Sequence, residues 1–346
     1  MRRLLIVLLL CGLAPGLWVR VQHPPPNRDQ RVTLVALPLA AGCCRIGPFT
    51  LDNVWHLTGA NSNFGSYSGL ARMDPGRLMA FTDRGYFLDI ADPHPGPGDR
   101  VVSAIIGPTI ADARQLKDHS DVEEASFDPA SRRLWLALEG RNGIARHGAD
   151  LVRQGFRQTP VMRRWPQNSG PEAMVRLNDG RFIVLAEAFD GRFENRLHQA
   201  LLFSGDPVEG AVPFGFSFAG PQGYRPTGMA QLPDGRVLVL MRRLLWPLPL
   251  RTAGRIVLLD PAEITPGGLW RGRQIASLDA PLPVDNFEAI MIEPAAGGMV
   301  TVWLLSDDNG AVSQRTLLWR MTLDPAQLPG SADKQKAHDH LARPAQ

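Results

Sequence analysis

Five segments of this sequence repeat one arrangement, in which a polar residue, an apolar run, a turn, a second apolar run and another polar residue follow in order. Two-residue turns at Pro75-Gly76, Ser131-Arg132, Asp179-Gly180, Asp234-Gly235 and Gly297-Gly298 make each a β-hairpin. That register sets Ser68 opposite Asp83, Glu124 opposite Glu139, Glu172 opposite Glu187, Thr227 opposite Arg242 and, on longer arms, Glu288 opposite Asp307. Acids fill seven of these ten positions. Directly opposed residues share a face of the sheet with Cβ atoms roughly 4.5–5.5 Å apart, and opposed like charges destabilise it. Repeated acid pairs therefore ask for a compensating cation or a function.

Hard oxygen ligands suit a divalent ion, Ca²⁺ ahead of Mg²⁺. Asp83, Glu124, Glu139, Glu172, Glu187, Glu288 and Asp307 are the candidate metal ligands, with Asn142, Asn286 and Asn309 as neutral donors. Such an ion polarises a phosphoryl oxygen and makes bound water more acidic. Arg84, Arg141, Arg242 and Arg243 lie beside the same hairpin ends, where a guanidinium fork receives a phosphate or pairs with a carboxylate. The catalytic assignment is Glu124 or Glu172 as base and Arg141 or Arg242 as anion clamp. The same acids also fit a structural role, accepting backbone N–H bonds or bridging to a neighbouring arginine. Both readings stand at this stage.

The hairpins begin at Ser68, Glu124, Glu172, Thr227 and Glu288, at spacings of 56, 48, 55 and 61 residues. A period of that size built from β-hairpins predicts propeller blades of four strands, each hairpin being completed by the segment after it. The strands at about 32–58 and 316–323 are left over and would close the ring together as a sixth blade; five or seven blades are the other counts. Regular repetition argues against a β-sandwich. A helical period is confined to residues 110–116. The expected organisation is a signal peptide or anchor at 1–19, an extended linker at 20–31, the propeller at 32–325 and a polar tail at 331–346.

The motifs Ser68-Gly69-Leu70, Asp83-Arg84-Gly85, Glu123-Glu124-Ala125, Leu138-Glu139-Gly140, Gly170-Pro171-Glu172-Ala173, Pro226-Thr227-Gly228-Met229 and Asn286-Phe287-Glu288-Ala289 together resemble the phytase-like domain family, also called esterase-like activity of phytase. The resemblance runs from about residue 51 to 323. It implies a β-propeller with recurring Glu and Asp, often exported, with phosphoesterase activity on a small-molecule ester or phosphoester. Dense Asp-rich loops are missing, so inositol hexakisphosphate does not follow as substrate. A lactonase or carboxylic esterase, and a non-catalytic propeller binding a ligand or an envelope protein, are the alternatives.

Composition is globular: 44% hydrophobic and 21% charged over 346 residues, with 34 Gly and 30 Pro as turn punctuation. Five Arg and one Asp precede Val32 and contribute +4, so the remainder of the net +3 is about −1. That leaves no basic surface for nucleic acid. Arg2-Arg3 followed by an apolar run reads as an export signal, placing the protein in the periplasm or outside the cell. Left uncleaved, residues 4–19 would associate it with the inner membrane. Cys43-Cys44 reads as two small buried residues rather than a metal site, His119 as a loop histidine, and Trp135, Trp165, Trp246, Trp270, Trp303 and Trp319 as blade packing. No Gly-x-Ser-x-Gly elbow, phosphate loop or zinc spacing is present.

Overall fold

The structure is a computed structural model that describes residues 25–39, 45–93, 99–108, 121–166, 169–189, 197–245 and 251–330. The expected leader, residues 20–24 of the linker, Cys43-Cys44, the helical segment 110–116, His119, Trp246 and the tail lie outside these residues. No helix among the described residues is long and apolar enough to cross a membrane.

Apolar runs such as Val237–Met241 and Val300–Leu305 are buried on both faces, which only a strand covered from two sides allows. The described residues form five sheets, each an antiparallel meander beginning with the first strand of one hairpin, and the third also carries a parallel edge strand, Leu269–Arg271 against Pro213–Ala219. Those first strands are Tyr67–Ala71, Val122–Asp128, Pro171–Arg176, Arg225–Gln231 and Asn286–Pro294. Each packs against the next and the fifth returns to the first, so they ring a central channel as the innermost strands of five blades. Five hydrophobic clusters fill the five wedges between neighbouring blades. Trp135, Trp165, Trp270, Trp303 and Trp319 are all buried in them.

The two chain ends do meet. Phe49–Gly59 pairs antiparallel with Thr316–Leu323, joining Leu57 to Thr316 and Thr50 to Thr322. It completes blade five instead of making a sixth, because Asn286–Pro294, Val300–Asp307 and Thr316–Leu323 already supply three strands and need one more. Arg31–Ala36 and Asp99–Ser103 extend that sheet outward. Of the counts open to the sequence, five is the one observed.

The third and fourth turns each carry one more residue than expected. Leu177 N–H donates to Arg181 O at 2.7 Å and Leu232 N–H to Arg236 O at 2.8 Å, which leaves three-residue loops with Gly180 and Gly235 at φ 88° and 92°. A left-handed third position in such a loop is why glycine follows the aspartate. Asp179 and Asp234 each accept the N–H two residues on at 3.0 Å, holding the loop closed.

A one-residue slip would turn the polar ends to the wrong face. A bulge in every inner strand reverses it. Tyr67 pairs with Thr82 and Gly69 with Phe81, leaving Ser68 extra. Glu123, Glu172, Thr227 and Glu288 are extra in the same way. The five bulges stand at the same end of the channel, where an unpaired residue is re-aimed out of the ladder.

Glu124 is corrected here. The loop of hairpin two holds four residues, Glu124 pairs with Ala137, and Glu123 is the bulged residue. Glu124 is fully buried and accepts Ala125 N–H at 2.9 Å and, across the channel, Met229 N–H at 2.8 Å. It is a crosslink between blades two and four, at the floor of the mouth. Glu124→Ala leaves two buried N–H groups without an acceptor, and equilibrium denaturation is expected to show a loss of roughly 2–4 kcal/mol.

Candidate active site at the channel mouth

Four of the five bulged residues and residues at or just beyond the ends of the second strands converge on a pocket of about 300 Å³. Asp83, Asp121, Glu123, Glu139, Glu172, Glu187, Glu288 and Asp307 line it with Ser68, Asn309 and a single guanidinium, Arg242. Six of the seven acids expected as ligands are thus brought together, and Glu124 is not. Asp121 and Glu123 were missed. Glu123 was hidden by the doublet it forms with Glu124, and Asp121 is the second residue before it.

Backbone contacts lock the mouth. Asp121 N–H donates to Asp83 O, Glu139 N–H to Asp121 O at 2.9 Å, and Glu187 N–H to Gly170 O at 3.0 Å. Asp121 stands at φ 78°, a conformation that costs energy for a residue with a Cβ. Gly140 permits this approach, since a Cβ there would lie 2.9 Å from Asp121 Oδ2. Glu139 accepts Gly170 N–H at 3.1 Å. Ser68 and Thr227 turn away from ligand duty, Ser68 donating to Val122 O and Thr227 to Phe287 O at 3.2 Å.

Arg242 reaches inward from blade four. Its Nε lies 3.0 Å from Glu288, and Nη2 lies 3.8 Å from both Glu172 and Glu187. Asn286 accepts from its Nη1 at 3.3 Å and donates to Glu288 at 2.7 Å. Arg225 holds the other oxygen of Glu187 at 2.7 Å from the rim. Glu172 Oε2 is buried without a hydrogen-bond partner.

The other arginines stand elsewhere. Arg141 is exposed, with its guanidinium 5.1 Å above the Phe156 ring, and does not line the pocket. Arg84 donates to Phe64 O at 3.0 Å, and Arg243 stacks on Tyr224. Of the neutral donors, Asn309 lines the pocket, Asn286 braces Arg242, and Asn142 donates to Trp165 O at 3.0 Å.

Burial and mutual repulsion raise the proton affinity of seven of these carboxylates, Asp83, Asp121, Glu123, Glu139, Glu172, Glu288 and Asp307. Burial, with Asp121 adding to it and Arg84 opposing it, pushes Asp83 up to about 6. Burial lifts Glu139 to about 7 against the Gly170 N–H, and Glu288 to about 7 against Arg242. Asp307 rises to about 8 through burial and the nearby Glu288. Glu123 and Glu172 are raised well above the usual range, first by burial and then by their acidic neighbours. Burial works against the charge on Arg242, but Glu288, Glu172 and Glu187 more than offset it and hold the guanidinium charged.

Asp121, Glu123 and Glu139 each offer an oxygen within 4.8 Å of the others, a spacing that suits one cation. The all-oxygen donor set and the unpaired oxygen of Glu172 fit a hard divalent ion. Folded-state pKa values above the unfolded ones mean that the native protein binds more protons between pH about 4 and about 8. For the cation-free protein, this stabilisation is fully present below about pH 4 and is lost as pH rises through 8. Thermal unfolding in EDTA across that range is expected to show a falling midpoint, and adding Ca²⁺ at pH 8 is expected to recover it.

Residues 62–310 match the phytase-like family described as esterase-like activity of phytase, a span that takes in every residue of the pocket. No curated protein matches the chain. Among solved structures, it is similar to Kuenenia stuttgartiensis hydrazine synthase (10% identity, TM-score 0.37), covering 73% of this chain and 59% of that one, less than two thirds of its length. A nidogen/laminin complex chain is 12% identical with a TM-score of 0.40, over 86% of this chain and 100% of that one. A luciferin-regenerating enzyme is 11% identical with a TM-score of 0.40, over 79% of this chain and 86% of that one.

Proposed function

The chain belongs to the phytase-like family, esterase-like activity of phytase, and on that premise we propose that it is an exported hydrolase cleaving a phosphate monoester at the acidic propeller mouth. The observation that carries this reading is the charge imbalance of the pocket, eight carboxylates facing one guanidinium. An anionic substrate is repelled by such a pocket unless protons or a cation neutralise it. At neutral pH a divalent cation does so and keeps the carboxylates ionised. Asp121, Glu123 and Glu139 would hold it, and the adaptable oxygen cage favours Ca²⁺ over Mg²⁺, which demands near-ideal octahedral geometry. When bound, the ion supplies Lewis-acid polarisation of the phosphoryl oxygens.

The chain's own groups do the rest. Arg242, braced by Glu288 and Asn286, faces the remaining phosphoryl oxygens and stabilises their charge as the bond to the leaving oxygen stretches. Glu172, with one oxygen unengaged, takes a proton from the attacking water. The water oxygen bonds to phosphorus, the ester P–O bond breaks, the departing oxygen takes up a proton from solvent to leave as the alcohol, and Glu172 returns its proton to solvent. Glu124 and Arg141 have no part in this scheme. Export follows from the leader-like residues 1–19, which if retained would tether the enzyme to the inner membrane.

The test combines binding and turnover. Ca²⁺ at 100-fold over its dissociation constant is expected to raise the unfolding midpoint by about 5 °C. Glu123→Gln is expected to abolish that shift, whereas Glu124→Gln lowers the starting midpoint but keeps it. With an aryl phosphate as probe, Glu172→Gln and Arg242→Gln are expected to cost roughly 10²–10³-fold in kcat/KM. Turnover of carboxylic esters or lactones, with phosphate esters untouched, would move the assignment to a carboxylic esterase. No Ca²⁺ shift and no turnover would leave a binding propeller.

A further inference from the structure

Beside the acidic pocket, a second pocket of about 660 Å³ opens between blades four and five, within the size range of small-molecule sites. Arg242 and Asn309 line both pockets, so the two adjoin across the guanidinium assigned to the phosphoryl group. Their walls differ in character. Leu244 and Leu245 at the end of Val237–Leu245, and Leu282 and Val284 from the segment before Asn286–Pro294, give the second pocket apolar surface.

Two acids reach this wall, and both are already paired. Asp279 meets Arg255 at 2.8 Å, and Asp285 meets Arg315 at 3.3 Å. The uncompensated negative charge therefore stops at Arg242, and beyond it the leucines and Val284 share the wall with Arg251 and the paired Arg315. Leu244 is 46% exposed on this wall, an arrangement that favours covering by an apolar group.

We propose that the second pocket receives the organic part of the substrate, and that the substrate is a phosphate monoester of an apolar alcohol. Its phosphate lies in the acidic pocket beside Arg242, and its chain or ring lies on Leu244, Leu245, Leu282 and Val284. This rests on the phosphoester reading above and narrows it. A densely phosphorylated polar substrate would leave the apolar surface of Leu244, Leu245, Leu282 and Val284 without an apolar partner. After hydrolysis the apolar alcohol departs from the second pocket and phosphate from the first.

Calorimetric titration of the Ca²⁺-loaded full chain with n-alkylphosphonates, methyl to octyl, tests this without requiring turnover. Affinity is expected to rise roughly two- to fourfold per methylene. Leu244→Asn, at an exposed position, is expected to flatten that dependence and leave methylphosphonate affinity unchanged. Equal affinity at every chain length overturns the apolar-alcohol inference while the phosphate site stands. A dependence kept in both Leu244→Asn and Leu282→Asn places the chain elsewhere and overturns it too. If no phosphonate binds at any length, the phosphoester reading itself fails.

Discussion

One extra residue in each innermost strand determines what this propeller can do. Ordinary antiparallel pairing would alternate side chains between the two faces of a blade and bury them against its neighbours. The bulges at Ser68, Glu123, Glu172, Thr227 and Glu288 interrupt that alternation at one end of the channel. Three of the five carry a carboxylate into the mouth. The opposing strands contribute the rest, and the wedge clusters leave the blades little freedom to spread and relieve the repulsion.

That repulsion is stored by packing elsewhere in the fold. Glu124 ties blade two to blade four beneath the site, and the Asp83, Asp121 and Glu139 backbones are bonded in series above it. Arg242 offsets part of the charge on three glutamates. The remainder must be met by protons or by a cation, and this couples stability, pH and ligand binding in one set of residues. Blade four, alone among the five in placing Thr and Arg at the repeated positions, interrupts the acidic ring. The apolar pocket begins on that side.

Much of the design was legible in the sequence because β-hairpins announce themselves locally. The Asp-Gly turns and the apolar arms follow from short-range pattern, and the meeting of the chain ends from the strands left over once the repeats are counted. Asp83, Glu139, Glu187, Arg242 and Asp307 reach the mouth as expected. Two errors compensated at Glu172 and Glu288: each loop was longer than assumed, and each bulge restored the facing. At Glu123-Glu124 the compensation failed, because a four-residue loop shifted the register further and two adjacent acids left no way to choose between them. Arg141 was misjudged because the aromatic surface that draws it away, Phe156, lies on a different strand. The sixth blade was expected because the sequence does not tell which strand the amino-terminal segment completes. Asp121 lacked a periodic partner and stood out only once the backbone had brought it to Glu139.

The central claim is that Asp121, Glu123 and Glu139 form a cation site, and its most direct measurement is an anomalous-scattering difference map from crystals soaked in Tb³⁺, a hard-ion substitute for Ca²⁺. The expected result is a peak within coordination distance of Asp121, Glu123 and Glu139 that is displaced by excess Ca²⁺. A map with peaks only on the outer surface, and none among these carboxylates, would contradict it.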